Sequence, residues 1–132
     1  MTCIYLSARW SNALQPATAH ALRAAGHVVY DIRYPFDELP GLDLTGVPKY
    51  AKLKALHPIF PRRNEDADTL ARAWAQVYVH MVEPGVTTSK AQGRQALERG
   101  QRLIYLNPSA GRAPRMGEQV ETIEALLKLL EE

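Results

Sequence analysis

One cysteine, Cys3, is the whole thiol content of this 132-residue chain, so no internal disulfide framework holds the fold together. It sits in an apolar run, where a thiol packs as a small hydrophobe more often than it serves as a nucleophile, and the expected compartment is the reducing cytoplasm. No basic-then-apolar signal opens the chain. No apolar run approaches the roughly 20 residues of a membrane span, so no membrane partner is expected. Charge of one sign is scarce as well: a net +2 is too small to argue for a nucleic acid polymer as partner. Neither GxGxxG nor GxxxxGK[ST] occurs, and no Cys/His cluster has metal-ligand spacing, so neither a metal nor another cofactor is expected. What is left is 46% apolar and 23% charged, ordinary for one globular domain large enough to bury a core, and nothing in it excludes a homo-oligomer.

The pattern along the chain alternates. "CIYLSA" (residues 3–8) is a short β-branched and aromatic run that reads as a buried strand. A loop, Arg9-Trp10-Ser11-Asn12, leads to an Ala-rich helix over 15–25, with Pro16 in its first turn and Gly26 just past its end. "HVVYDIR" (27–33) is a second strand, and strand–helix–strand in so few residues is a βαβ unit with parallel strands. The middle, residues 34–63, carries five of the nine prolines and only one short helix, "KYAKLKAL"; a connection of that length reads as a lid or binding loop. Then come a helix from Asn64 with acids in its first turn and Leu70, Ala73 and Trp74 on its buried face, a third strand over 77–82, a helix over 89–99 closed by Gly100, and a fourth strand, "RLIYL" (102–106). A last helix over 118–130 is expected from the stripe Val120, Ile123, Leu127 and Leu130.

Alternating strands and helices imply a doubly wound α/β parallel sheet of four or five strands with helices on both faces. Right-handed crossovers give the order 2-1-3-4, with a fifth strand at the edge if one forms. The order reverses between strands one and three, and ligands of open α/β sheets bind there, beyond the carboxyl ends of the strands. That selects two loops: Ser7 to Asn12 and Glu83 to Gln92. A flavodoxin would need a Ser/Thr-rich phosphate loop after strand one, and a receiver domain an acceptor Asp at the end of strand three; "SARW" and "EP" are neither.

The segments "IYLSARWSN" and "QPATAHALRAAGHVVYDIRYP" together resemble the nucleoside 2-deoxyribosyltransferase-like family, whose members begin with a "YLA"-type strand and a Trp-containing loop and continue with "LRAAGHEVYDFRNP" or similar. The resemblance is close over residues 3–35 and returns more weakly over 74–106. It implies one flavodoxin-like domain spanning 1–132 and a small nucleoside or nucleotide as partner. In such proteins a glutamate early in the helix after strand three attacks C1′ of a deoxynucleoside, as the carboxylate of a retaining glycosidase does. Laid on this chain through Ala96 and Gly100, the pattern puts Gln92 at the glutamate, Arg94 at a glycine and Gln101 at a lysine. Just before strand three, where the family has Ala-Asp, this chain has Ala75-Gln76. A glutamine can neither attack as an anion nor exchange a proton near neutral pH. Glu98 lies on a different face of the same helix and cannot replace it. The expectation is therefore a nucleoside pocket that lacks the family's chemistry; the alternative is an active transferase or N-glycosidase using another acid.

The candidate ligand residues are Ser7, Arg9, Trp10, Asn12, Asp31, Arg33, Gly85, Thr87, Thr88 and Ser89. Thr87, Thr88 and Ser89 suit a 5′-phosphate at a helix N-terminus, or else plain capping. Arg9, Trp10 and Asn12 suit a wall for base and sugar with the indole stacking, or else a cap on the core. Asp31 either faces the crevice or pairs with Arg33. His80 reads as a hydrogen-bonded core histidine before a catalytic one, and Arg62 and Arg63 as solvated.

Overall fold

The computed structural model of the protein describes residues 1–86 and 88–131. Five strands, β1 (Cys3–Ser7), β2 (Val28–Asp31), β3 (Val77–Met81), β4 (Arg102–Leu106) and β5 (Glu118–Val120), form one parallel sheet in the order β2-β1-β3-β4-β5. The helices are α1 (Gln15–Ala24), α2 (Tyr50–Leu56), α3 (Glu65–Trp74), α4 (Lys90–Glu98) and α5 (Ile123–Leu130). This is the flavodoxin-like α/β fold, and the edge strand left open by the sequence is β5. Among the described residues no helix is long and apolar enough to cross a membrane.

Register sorts the side chains onto two faces. Tyr5 pairs with Tyr30 on one side and Tyr78 on the other, and Ser7 pairs with His80, which pairs with Tyr105. Because paired residues of parallel strands share a face, these tyrosines, Ser7 and His80 lie together. α3 and α4 cover them, as hydrogen bonds from Tyr30 to Asp68 and from Tyr78 to Gln92 record. Ile4, Leu6, Val29, Val79, Ile104 and Leu106 alternate onto the opposite face, under α1 and α5. Both layers are buried.

Two expectations need correction. Residues 118–120 are strand, and α5 begins only at Ile123, with Thr122 accepting from the Ala125 N–H as its N-cap. The stripe through Val120 ran the two elements together because a residue facing the core from a strand can fall on a helical period by chance. Gly117 sets the edge strand: its φ is +66°, and an added Cβ would meet the Leu103 carbonyl at 2.7 Å. In α3 the buried face is Ala67, Asp68 and Ala71, whereas Leu70 is 43% exposed, Ala73 is exposed and Trp74 is half-buried. A buried carboxylate with two partners took the place expected of an apolar residue.

The proline-rich connection is irregular but packed. Phe36, Leu44, Val47 and His57 are buried. His57 donates from Nε2 to the Arg33 carbonyl at 2.8 Å, and the Trp74 indole N–H reaches the Pro40 carbonyl at 2.8 Å.

Candidate functional site

A cavity of about 530 Å³ opens at the carboxyl ends of β1 and β3, the point where the strand order reverses. Ser7 and Arg9 line it from β1 and the loop after it, and Gly85, Thr88, Ser89 and Gln92 from the β3–α4 connection. These are six of the residues expected from the sequence, brought together from segments far apart in the chain.

The other expected ligands lie elsewhere. Trp10 sits with its ring 6.4 Å from His57, against the irregular segment, and does not line the cavity. Asn12 is buried as a turn residue: its Oδ1 accepts from the Leu14 N–H at 2.9 Å, and it faces a separate cleft between α1 and α5. Asp31 faces α1, where it accepts from Gln15 Nε2 at 2.9 Å and from the Arg33 backbone N–H at 2.8 Å. The Arg33 guanidinium donates to the Asn12 carbonyl at 2.8 Å, so the expected Asp31–Arg33 ion pair is replaced by bonds that brace the βαβ unit. Thr87 lies outside the described residues.

Local sequence explains the α4 end of the cavity. Ser89-Lys90-Ala91-Gln92 has the Ser-x-x-Gln spacing of a capping box, in which each side chain would satisfy a backbone N–H of the first turn. The Ser89 arm is not made, since Ser89 stands at the N-cap without a side-chain cap bond. Gln92 Oε1 accepts instead from the Tyr78 hydroxyl at 2.7 Å. Ser89 and Gln92 thus face the cavity, and α4 has no acid in its first turn to neutralise its dipole. Gly93 lets the helix lie close on β4, because a Cβ there would run into the Tyr105 hydroxyl.

Three further residues line the cavity that the sequence had not placed there. His80 lines the cavity and shares a 3.0 Å hydrogen bond between its Nδ1 and Ser7 Oγ. Burial lowers its pKa to about 4, so the ring is neutral at pH 7. The signal was present: His80 is two residues from Tyr78 and in register with Ser7, on the face that leads to the cavity. Arg63, expected to be solvated, lines the cavity and is held by Asp68, which takes hydrogen bonds from its Nε and an ion pair from Nη2, both at 3.1 Å. Asp68 is fully buried and also accepts from the Tyr30 hydroxyl at 2.8 Å. Burial pushes its carboxyl pKa up, while the bonds from Tyr30 and Arg63 pull it back down. The third is Glu83, just past β3, an acidic residue that lines the cavity. Glu98 was the carboxylate weighed as a replacement for Gln92; Glu83, which shares the cavity with Gln92, is a second one.

The other amides that stand in family acid or lysine positions are structural. Gln76 lies at the amino end of β3, opposite the cavity, where its Oε1 accepts from the Cys3 N–H at 3.0 Å. Its lost charge has no bearing on chemistry at the carboxyl end. Gln101 is buried and donates to the carbonyls of Arg72 and Ala75, tying the end of α3 to the start of β4.

No family model matches the sequence, and no curated protein matches it. Among solved structures the chain is similar to a 2-deoxyribosyltransferase from the psychrotolerant bacterium Bacillus psychrosaccharolyticus, characterised as a biocatalyst for the synthesis of antiviral and antitumoral nucleosides. The TM-score is 0.51 at 11% identity, over 94% of this chain and 89% of that one. At that identity the likeness is one of fold.

Proposed function

We propose that the protein binds a nucleoside or nucleotide in the cavity at the carboxyl ends of β1 and β3, without the glutamate-nucleophile chemistry that its sequence resemblance implies. The observation that carries this is the lining. Hydroxyls of Ser7, Thr88 and Ser89, the guanidinium groups of Arg9 and Arg63 and an uncapped helix N-terminus surround a space of about 530 Å³. Such groups suit a sugar and its phosphate. The residue in the nucleophile's position, Gln92, is an amide fixed by Tyr78, and an amide cannot form the glycosyl intermediate. The fold likeness to a 2-deoxyribosyltransferase supports a nucleoside scaffold.

A second reading rests on Glu83. Glu83 lines the same cavity, so its carboxylate could attack C1′ as the base leaves, after which water or a second base would take the sugar from the enzyme.

Ligand binding and base release test both. Some member of a panel of ribo- and deoxynucleosides and their 5′-monophosphates should stabilise the protein, by about 2.7 kcal/mol at a hundred times its dissociation constant. No thermal shift with any member at millimolar concentration would sink the binding reading. Base released from a deoxynucleoside or its monophosphate by the wild type, and lost in Glu83→Gln, would establish the second reading. No release leaves the first.

A further inference from the structure

We propose that the apolar pocket on the other side of Arg63, built by the proline-rich segment, is the subsite for the ligand's base; this rests on the nucleoside reading above. The polar cavity is a poor host for a heterocycle. Its one lining ring is the His80 imidazole, and the rest of its wall is hydroxyl, guanidinium, carboxylate, amide and small apolar groups. Trp10, the residue best suited to stack on a base, is turned away toward His57. A nucleoside placed there would have its sugar and phosphate served and its base left without a platform.

The missing platform adjoins it. A pocket of about 150 Å³ is walled by Phe36, Leu53, Leu56, His57 and Phe60, and Arg63 lines both spaces. Asp68 grips the guanidinium from the core side, so the junction between polar and apolar spaces is fixed before any ligand arrives. Phe36 and His57 are themselves locked, with ring centroids 5.3 Å apart at 70°, and His57 is held by its bond to the Arg33 carbonyl. Phe60 is the exception: it is 66% exposed and has no ring partner among the described residues. An unpaired phenyl ring at the edge of an apolar pocket, one fixed guanidinium away from a sugar-phosphate cavity, has the chemistry of a stacking lid.

A second observation comes from Asn64, which also lines this pocket and is 8% exposed. Its Oδ1 accepts from the Ala67 N–H at the start of α3, and its Nδ2 is buried without a partner. A buried donor left open is uncommon. The carbonyl edge of an oxo-base would fill it, which favours guanine, hypoxanthine or a pyrimidine over adenine.

The experiment compares two ligand sets by calorimetry: the eight common ribo- and deoxynucleoside 5′-monophosphates, and ribose 5-phosphate with 2-deoxyribose 5-phosphate. Wild type should bind at least one oxo-base nucleotide on the order of tenfold more tightly than the matching sugar phosphate, as one base–aromatic stack would give. Phe60→Ala should remove that advantage while leaving sugar-phosphate affinity unchanged, and its exposed position leaves the melting temperature as a check on the fold. If Phe60→Ala left nucleotide binding intact, or weakened both sets alike, the base would not lie in this pocket. If a sugar phosphate bound as tightly as every nucleotide, the subsite would be refuted while the cavity reading stood. Absence of binding by both sets would remove the nucleotide reading and the subsite with it.

Discussion

Under α1 and α5 the sheet is closed by Ile4, Leu6, Val29, Val79, Ile104 and Leu106, whereas under α3 and α4 it carries Tyr30, Tyr5, Tyr78 and Tyr105 with Ser7 and His80. The first face chiefly removes apolar area from water, with Asp31 held by Gln15 at its edge. The second does more. Its rings pack as a ladder, Tyr5 on Tyr30 at 5.6 Å and on Tyr78 at 5.1 Å, and the hydroxyls of Tyr30 and Tyr78 reach polar groups on the helices above. Tyr30 holds Asp68, and Asp68 holds Arg63 at the cavity wall; Tyr78 holds Gln92 at its opposite side. On the first face the polar bonds, from Gln15 and Arg33 to Asp31, brace the βαβ unit away from the cavity, and on the second they set where the cavity's polar groups stand. Substitutions that separate packing from polar support would test that division.

The largest effect is expected at Asp68. Asp68→Ala strands a buried tyrosine hydroxyl and releases Arg63, and breaking one side of a buried pair typically costs about 3–5 kcal/mol. Urea unfolding would measure the loss. A cost under about 1 kcal/mol would mean that the pair contributes little and that the tyrosine face is held by ring packing. The matching change on the other face is Leu6→Ala. Leu6 is fully buried, and truncation there should cost about 3 kcal/mol, from lost transfer energy and the cavity left behind. The two variants should differ in binding. In folded Leu6→Ala any nucleotide-induced thermal shift should be preserved, and in Asp68→Ala it should shrink because Arg63 loses its support. Equal loss of the shift in both would erase the functional difference between the faces.

A smaller and reversible test uses pH. Burial depresses the His80 pKa to about 4, whereas a histidine in the unfolded chain titrates near 6.5. The unfolded state therefore takes a proton that the folded state refuses, so this contribution is fully present above pH 6.5 and is lost as pH falls toward 4. The slope is at most about 1.4 kcal/mol per pH unit. The charged groups around the ring are Arg9, Arg63 and Glu83 across the cavity, with Asp68 behind Arg63. Asp68 acts in the opposite direction, because its raised pKa makes the folded state the better proton acceptor. The readout is thus a difference: stability from pH 7 to 5 should fall more steeply in wild type than in His80→Gln. Parallel curves would show that His80 is solvated.

Much of this was legible in the chain because it follows from short-range patterns. The strand–helix alternation gave the sheet order, and Pro16, Gly26 and Gly100 marked helix boundaries through their backbone preferences. The switch point then selected the two loops that do line the cavity. The failures are of another kind. Asn12 in the first loop and Asp31 and Arg33 at the end of strand two are used up by bonds to one another's neighbours, and a chain position does not reveal which way a polar side chain turns. Arg63 and Asp68 depend on a partner across the sheet, Tyr30, that is distant in sequence. Val120 fitted a helical stripe because strand and helix periods coincide over so few residues. Glu83 opened the selected loop, but it was weighed only as a receiver-domain acceptor and not as a carboxylate of the cavity.

The smallest effect is expected at Gln92, where the tyrosine face meets the question of chemistry. Gln92→Glu keeps the length and shape of the side chain, and Tyr78 can donate to a carboxylate oxygen as it does to the amide oxygen at 2.7 Å. Position 92 is exposed and lies in the first turn of α4, which has no acid, so a negative charge there meets the positive end of the helix dipole. The net change in stability should fall within about 0.5 kcal/mol, the usual range for a surface substitution. A loss above about 1 kcal/mol would show that the Gln92 amide N–H₂ group is needed and that the Tyr78 bond is only part of its role. If the variant is as stable as expected, its base release becomes informative. Release by Gln92→Glu but not by wild type would mean that the tyrosine face already holds the position in which a nucleophile works, and that one oxygen in place of one nitrogen separates a binding site from a catalyst.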